Sequence, residues 1–367
     1  MKKNIILAVA GAAALLTLGA CNKNGMDIPS NGGAPVAGSG EAYVTLSLGS
    51  TLTKAAGETL SNEKTIRNVQ IYVFRNPESG GDKGLLDVSM SEGFGSELAE
   101  TGGQHTCPVI KCSTGPRRFY VVVNDSQDRT PTVSTETDFL AQEFELRNAR
   151  ADRLVMVGTM DQNLTEGSHS YDINVHRLVA SVVLNSVKND FISPAYQQDG
   201  VFRIEDVYLI NVPGRRNFGE TLAPASIAAD DWYGKLGNET RAEYSSNLIY
   251  DPKTGDGTIV NYSTTNSARH AFYAFPNNCT ASEDLSWSAR ATLLVLEASI
   301  RNGSVWTKYY YPVTIAGGLE ANKQYTIDLT VKRPGSNDPN IPVKFDDVTP
   351  TIKVEDWGSG DTYSPVI

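Results

Sequence analysis

The residue best placed for chemistry is Cys21. It follows Leu18-Gly19-Ala20, at the exit of an uncharged apolar run from Ile5 to Leu18, itself preceded by Met1-Lys2-Lys3. Small residues before a Cys at the end of such a run form the lipobox of an exported lipoprotein. Residues 1–20 are read as the signal peptide and Cys21 as the acylated residue. The run is too short to span a bilayer comfortably. Acyl chains on Cys21 would tether the protein by apolar burial without a spanning helix.

The other reactive side chains are scattered. Cys107, Cys112 and Cys279 remain once Cys21 is set aside, an odd number. Cys107 and Cys112 fall in HTCPVIKCS, which reads as one extended strand. Five strand residues separate α-carbons by roughly 16 Å, beyond disulfide reach, so both are read as free, partly buried thiols. The four histidines, at 105, 169, 176 and 270, have no ligand spacing, and no CxxC occurs. Neither a metal site nor a cofactor is expected. No GxSxG elbow, P-loop or dinucleotide fingerprint appears. Asp346-Asp347 and Glu355-Asp356 read as solvated acids at strand ends, and Arg215-Arg216 as an isolated basic pair in a turn. No catalytic residues are assigned, and the chain is not expected to be an enzyme. A net charge of −10 gives no electrostatic case for nucleic acid.

The elements around these residues are strands. Asn22 to Gly40 is rich in Gly, Asn, Pro and Ser, and residues 21–40 are read as a flexible linker after the lipidated Cys. The stretch Glu41 to Lys54, EAYVTLSLGSTLTK, then alternates. Val44, Leu46 and Leu48 face one way; Tyr43, Thr45 and Ser47 face the other. It ends in the polar loop Thr53-Lys54-Ala55-Ala56-Gly57. TIRNVQIYVF at 65–74 and RRFYVVVN at 117–124 are strands. The second follows the turn Ser113-Thr114-Gly115-Pro116, and a hairpin with Val109–Cys112 is predicted. TDFLAQEFELR at 137–147 is the best helix, with Thr137 or Asp138 as its cap.

His176-Arg177-Leu178 looks like a joint, after which strands resume at ASVVLNSVK and RIEDVYLINV. Residues 219–265 read as surface loops. Later strands are expected at 271–275, 289–300, 307–315, 325–332 and 351–357. Short strands, turn-rich connections and one helix give an all-β chain: two β-sandwiches in series, 41–177 and 178–367.

Several stretches, kept in order, carry a resemblance. They are the lipobox at Cys21, KCSTGPRRFYVVVN, VHRLVASVVLNSV, DVYLINVPGRRNFG, FYAFPNN, KYYYPVTI, and above all LEANKQYTIDLTVKRPGSNDP followed by IKVEDW. Together they make the chain resemble the type V pilus fimbrillins of the Bacteroidales, the major fimbrial subunit type. The resemblance covers essentially the whole chain. It implies two transthyretin-like sandwiches, export as an outer-membrane lipoprotein, and cleavage by a trypsin-like surface protease in the loop after the first strand. Carried onto this sequence the cut falls between Lys54 and Ala55, where the family often has Arg.

The displaced first strand would take Val44, Leu46 and Leu48 with it. A carboxy-terminal strand from another copy would fill the groove by β-augmentation, and repetition gives an open filament. Donor residues are sought in Ile352, Val354, Trp357, Tyr363, Val366 and Ile367. Implied partners are other copies, accessory fimbrial subunits, the protease and a host or bacterial surface receptor. The implied locations are the cell outer membrane, then the fimbrium. An accessory, tip or anchor subunit is the alternative inside the family. A monomeric glycan-binding surface lipoprotein, using Trp232, Trp287, Trp306 or Tyr309-Tyr310-Tyr311, is the alternative outside it.

Overall fold

The structure is a computed structural model that describes residues 40–48, 65–98, 105–234, 248–252, 257–280, 287–315, 317–342 and 347–357. The chain is all-β, and its four large sheets fall into two pairs along the sequence.

In the first sheet Glu41–Leu48 is central. Ile110–Ser113 and His105–Thr106 run antiparallel to it on one side, and Gly167–Ile173 runs parallel to it on the other. The second sheet has the order His176–Arg177, Met156–Leu164, Gly115–Val123, Val69–Arg75, Leu86–Glu92, antiparallel throughout. Between these sheets lies a core that includes Val44, Leu46, Ile71, Val73, Phe119, Val121 and Met156.

The other face of the second sheet is covered as well. Tyr72, Phe74 and Val122 pack there against Phe139, Phe144 and Phe218, in an apolar core that continues into the second half of the chain. Phe139 and Phe218 stack with centroids 4.6 Å apart. Burial on both faces explains why FYVVV is a continuous apolar run rather than an alternating one.

The second half repeats the plan. Ala180–Asn189 runs parallel to Lys323–Val331 and antiparallel to His270–Ala274 and Thr265–Asn266, with Val348–Asp356 at the edge beyond Lys323–Val331. The facing sheet is antiparallel: Tyr250–Pro252 and Thr258–Ile259, then Phe202–Ile210, Leu293–Asn302 and Val305–Thr314. In both halves the first strand is central and has one parallel neighbour.

Four expectations are corrected. The helix is Glu136–Ala141 alone, with Thr135 as N-cap in a capping box with Asp138. The chain then becomes the strand Glu143–Glu145 and a 3₁₀ turn, Leu146–Asn148. Phe144 therefore leaves the helical face and packs edge-on to Phe218 at 4.1 Å. The predicted hairpin is absent: Ile110–Ser113 pairs with the first strand, while Gly115–Val123 pairs in the other sheet. The turn at Gly115 (φ +104°) passes the chain from sheet to sheet, which periodicity cannot distinguish from a hairpin.

Arg215-Arg216 is not a turn. Arg215–Asn217 pairs with Glu143–Glu145 and joins the two halves. The adjoining Gly214 is required, because a Cβ there would meet the Asp231 carbonyl oxygen at 2.1 Å. Finally, residues 219–265 are not all surface loop, since Trp232, Leu248 and Ile249 are fully buried.

The groove beneath the first strand and the joint at Arg177

The first strand alternates as its sequence requires, with Ala42, Val44, Leu46 and Leu48 buried. Burying Val and Leu side chains contributes roughly 1.5–3 kcal/mol each. Its backbone is hydrogen-bonded on both sides. Ala42 lies opposite Cys112 and Val44 opposite Ile110, while on the parallel side Val44 lies beside His169 and Leu46 beside Tyr171. Taking this strand away would leave two facing sheet edges and an apolar slot, two deficits that one incoming strand would fill together.

Polar contacts fix one wall of that slot. Asp87, on the facing sheet, accepts from the Ser113 amide at 2.8 Å, the Ser113 hydroxyl at 2.5 Å and Arg117 Nε at 3.1 Å. Burial alone would push the Asp87 carboxyl up. The Ser113 hydroxyl and amide and the Arg117 guanidinium outweigh it and hold the carboxyl below its ordinary value. Ser113 pairs with Glu41 across the sheet, so this bridge ties the start of the first strand to the opposite sheet. At the strand's other end His105, opposite Leu48, is 3.0 Å from Glu92. Cys107 and Cys112 are both free and buried. Burial pushes the Cys107 thiol up to about 12 and the Cys112 thiol up to about 11.

The region expected as a joint is built around Arg177, which is fully buried. Its guanidinium lies over the Trp357 ring at 4.2 Å, and its Nη1 donates to the Trp357 carbonyl at 3.2 Å. Tyr273 stacks on Trp357 at 5.6 Å. Asn322, at φ +57°, completes the join. Its carbonyl accepts from the Trp357 amide, its amide donates to the Val179 carbonyl, and its side-chain oxygen accepts from the Arg177 amide. Arg216 adds a donation to the Leu178 carbonyl at 2.6 Å. An open cleft of about 950 Å³ runs alongside, lined in part by Asp172, His176, Arg177, Asn322 and Asp356.

The donor residues anticipated from sequence divide here. Ile352 and Val354 are half-buried opposite Ile327 and Tyr325 of their own chain, and Trp357 is buried. These three close the second pair of sheets. Tyr363, Val366 and Ile367 lie outside the described residues, as do Cys21, Lys54 and Ala55. Sequence reasoning missed Asp87 and Asn322. Asp87 stands in a strand of ordinary alternation, whereas Asn322 sits between Gly317-Gly318 and a clean strand, a position where a turn Asn is a usable signal.

The aromatics do not gather into an exposed platform. Trp232 is buried, donates to the Ile227 carbonyl and meets Trp287 edge-on at 5.5 Å. Tyr311 is also buried. Trp306 lies under the Arg203 guanidinium at 4.4 Å. Among the described residues, no group of three His, Cys, Asp or Glu side chains is arranged to hold a metal ion, and no helix is long and apolar enough to cross a membrane.

The first strand is thus buried and flanked on both sides within a paired-sheet fold. Residues 42–191 match the family described as major fimbrial subunit protein (FimA). The solved fimbrilin (FimA) of Porphyromonas gingivalis W83 superposes with a TM-score of 0.58 at 18% identity, over 88% of this chain and 99% of that one. A candidate cell adhesion protein of Bacteroides eggerthii DSM 20697 gives 0.60 at 19% identity, over 89% and 98%. Another from Parabacteroides distasonis ATCC 8503 gives 0.60 at 18%, over 89% and 99%. These likenesses establish the shared fold. No curated protein sequence matches the chain.

Proposed function

We propose that the chain is a structural pilin subunit that assembles into fimbriae for adhesion. It is exported as a lipoprotein, acylated at Cys21 and held at the outer membrane. A trypsin-like surface protease cuts after Lys54. The first strand leaves with the lipid, and a carboxy-terminal strand from another copy takes its place. Copies join head to tail, with accessory subunits and a surface receptor as further partners. The two sandwiches act as two domains, 41–177 and 178–367.

The observation that supports this reading is the position of Glu41–Leu48. It is the central strand of its sheet, yet the first of the described strands, so one cut behind it would separate it from every other described strand. The counterpart in the second half, Ala180–Asn189, has the same central place but is continuous with chain on both sides. It has no such exit. Electron microscopy of purified, protease-treated protein tests the reading. Filaments are expected, and monodisperse particles after complete cleavage would overturn it.

A further inference from the structure

The wall beside the first strand has a chemistry of its own. Cys112 lies opposite Ala42 and Ile110 opposite Val44. Cys107 donates its amide to the Leu46 carbonyl at 2.8 Å, and the pairing of Ser47 with Thr106 places Cys107 opposite Leu46. Directly opposite residues on one face of an antiparallel pair hold their Cβ atoms about 5 Å apart. Both thiols therefore pack against the apolar row that leaves with the first strand, and both belong to the core that row helps to seal. The third thiol, Cys279, is half-exposed and stands in the second half of the chain.

We propose that this wall is a thiol gate: with the first strand gone, Cys107 and Cys112 are open to low-molecular-weight disulfides, and a mixed disulfide at either excludes the incoming strand. The inference rests on the strand-removal reading above. In the closed fold both thiols are covered, and burial holds them in the protonated, unreactive form. Exposure brings a thiol back toward its ordinary value near 8.5, raising the thiolate fraction about a hundredfold or more.

In the exchange the protein thiolate attacks one sulfur of the small disulfide, a new S–S bond forms, and the old one breaks. The other half departs as a thiolate, and the protein's proton goes to solvent. The protein sulfur is oxidised and the departing half reduced. The adduct then occupies the space of Ala42 or Leu46, and a packed core does not absorb added volume. A reductant reverses the step, so the gate delays assembly without destroying the subunit. Once a strand is seated, the thiols are covered again.

The test uses the full chain before and after trypsin-class cleavage. Brief iodoacetamide labelling is read by peptide mass spectrometry at Cys107 and Cys112 separately. At least tenfold faster labelling at both is expected after cleavage. Cleaved protein treated with DTNB should form no filaments, dithiothreitol should restore them, and a Cys107→Ala/Cys112→Ala variant should assemble despite DTNB. A Cys107→Ser/Cys112→Ser variant serves if the alanine form folds poorly. Thiols that stay shielded in filament-free protein that has been cut at Ala55 and has released residues up to Lys54 overturn the gate alone, as do normal filaments from DTNB-modified protein. A chain that the protease leaves uncut, or that keeps its first strand in place after the cut, overturns the strand-removal reading and the gate with it.

Discussion

The Arg177 guanidinium lies over the Trp357 indole at 4.2 Å and donates to the carbonyl of the same residue. One residue stands where the first pair of sheets gives way to the second; the other directly follows the last described strand. The second half therefore depends on Trp357 for closure as well as packing. Trp357→Ala removes the stacking partner of both Arg177 and Tyr273 and leaves a cavity. A cost of about 3–5 kcal/mol in urea unfolding is expected. Trp357→Phe keeps a ring over which Arg177 can lie, and should lose less than half of that.

The Asp87 bridge predicts a pH dependence. The carboxyl is held below its ordinary value in the fold, so the unfolded chain binds this proton more readily. Its stabilisation is present above the unfolded value, near 4, and is lost as pH falls through the lower folded value. Asp87→Asn should be less stable than the parent at pH 7. The gap should narrow as pH falls below about 4 and the carboxylate is protonated. Denaturation curves across that range measure it, and a constant gap down to pH 2 would contradict the assignment.

Much of this fold can be read from alternation. Val44, Leu46 and Leu48 are buried, and beyond Arg177 the strands enter new sheets. What alternation does not carry is which strand sits beside which. HTCPVIKCS and RRFYVVVN read as a hairpin because a turn separates them, but Gly115 sends them to different sheets. Periodicity overextends the helix because Phe144 fits the spacing of Phe139 and Leu140. Packing on Phe218, more than 70 residues away, draws it into a strand instead. The acylation proposed at Cys21 rests on a local motif, and the cut proposed after Lys54 on a resemblance. The Asp87–Ser113 and Arg177–Asn322 contacts span long sequence separations, and no local pattern encodes them.

Acylation is expected at Cys21, on the strength of Leu-Gly-Ala-Cys at the end of the apolar run. Cys21→Ala should incorporate no labelled fatty acid and should leave the membrane fraction or stall as precursor. Label retained at the parent level would reject the site.

Cleavage is expected between Lys54 and Ala55. Amino-terminal sequencing of assembled material should begin at Ala55, and Lys54→Ala should slow processing and assembly together. Assembled subunits that still begin at Cys21 would rule out loss of the first strand.

The last prediction separates two roles at the carboxy terminus. Val348–Asp356 pairs along its length with Lys323–Val331, and Trp357 packs on Arg177. A subunit that donated this strand would have to open its own second half. If the chain assembles by strand exchange as proposed, the donor role is expected of the residues beyond Trp357: Gly358-Ser359-Gly360, a hinge by composition, then Tyr363, Val366 and Ile367. Pro365 has no amide to donate and favours an edge or a strand end. Deleting 358–367 should leave the stability within about 0.5 kcal/mol of the parent, the usual range for changes away from packed sites. The same protein, cut by the protease, should give folded monomers and no filaments. Deleting from Thr351 onward should instead destabilise the fold itself, because the edge strand and the Arg177 contact go together. Normal filaments from the shorter deletion would return the donor role to 351–357.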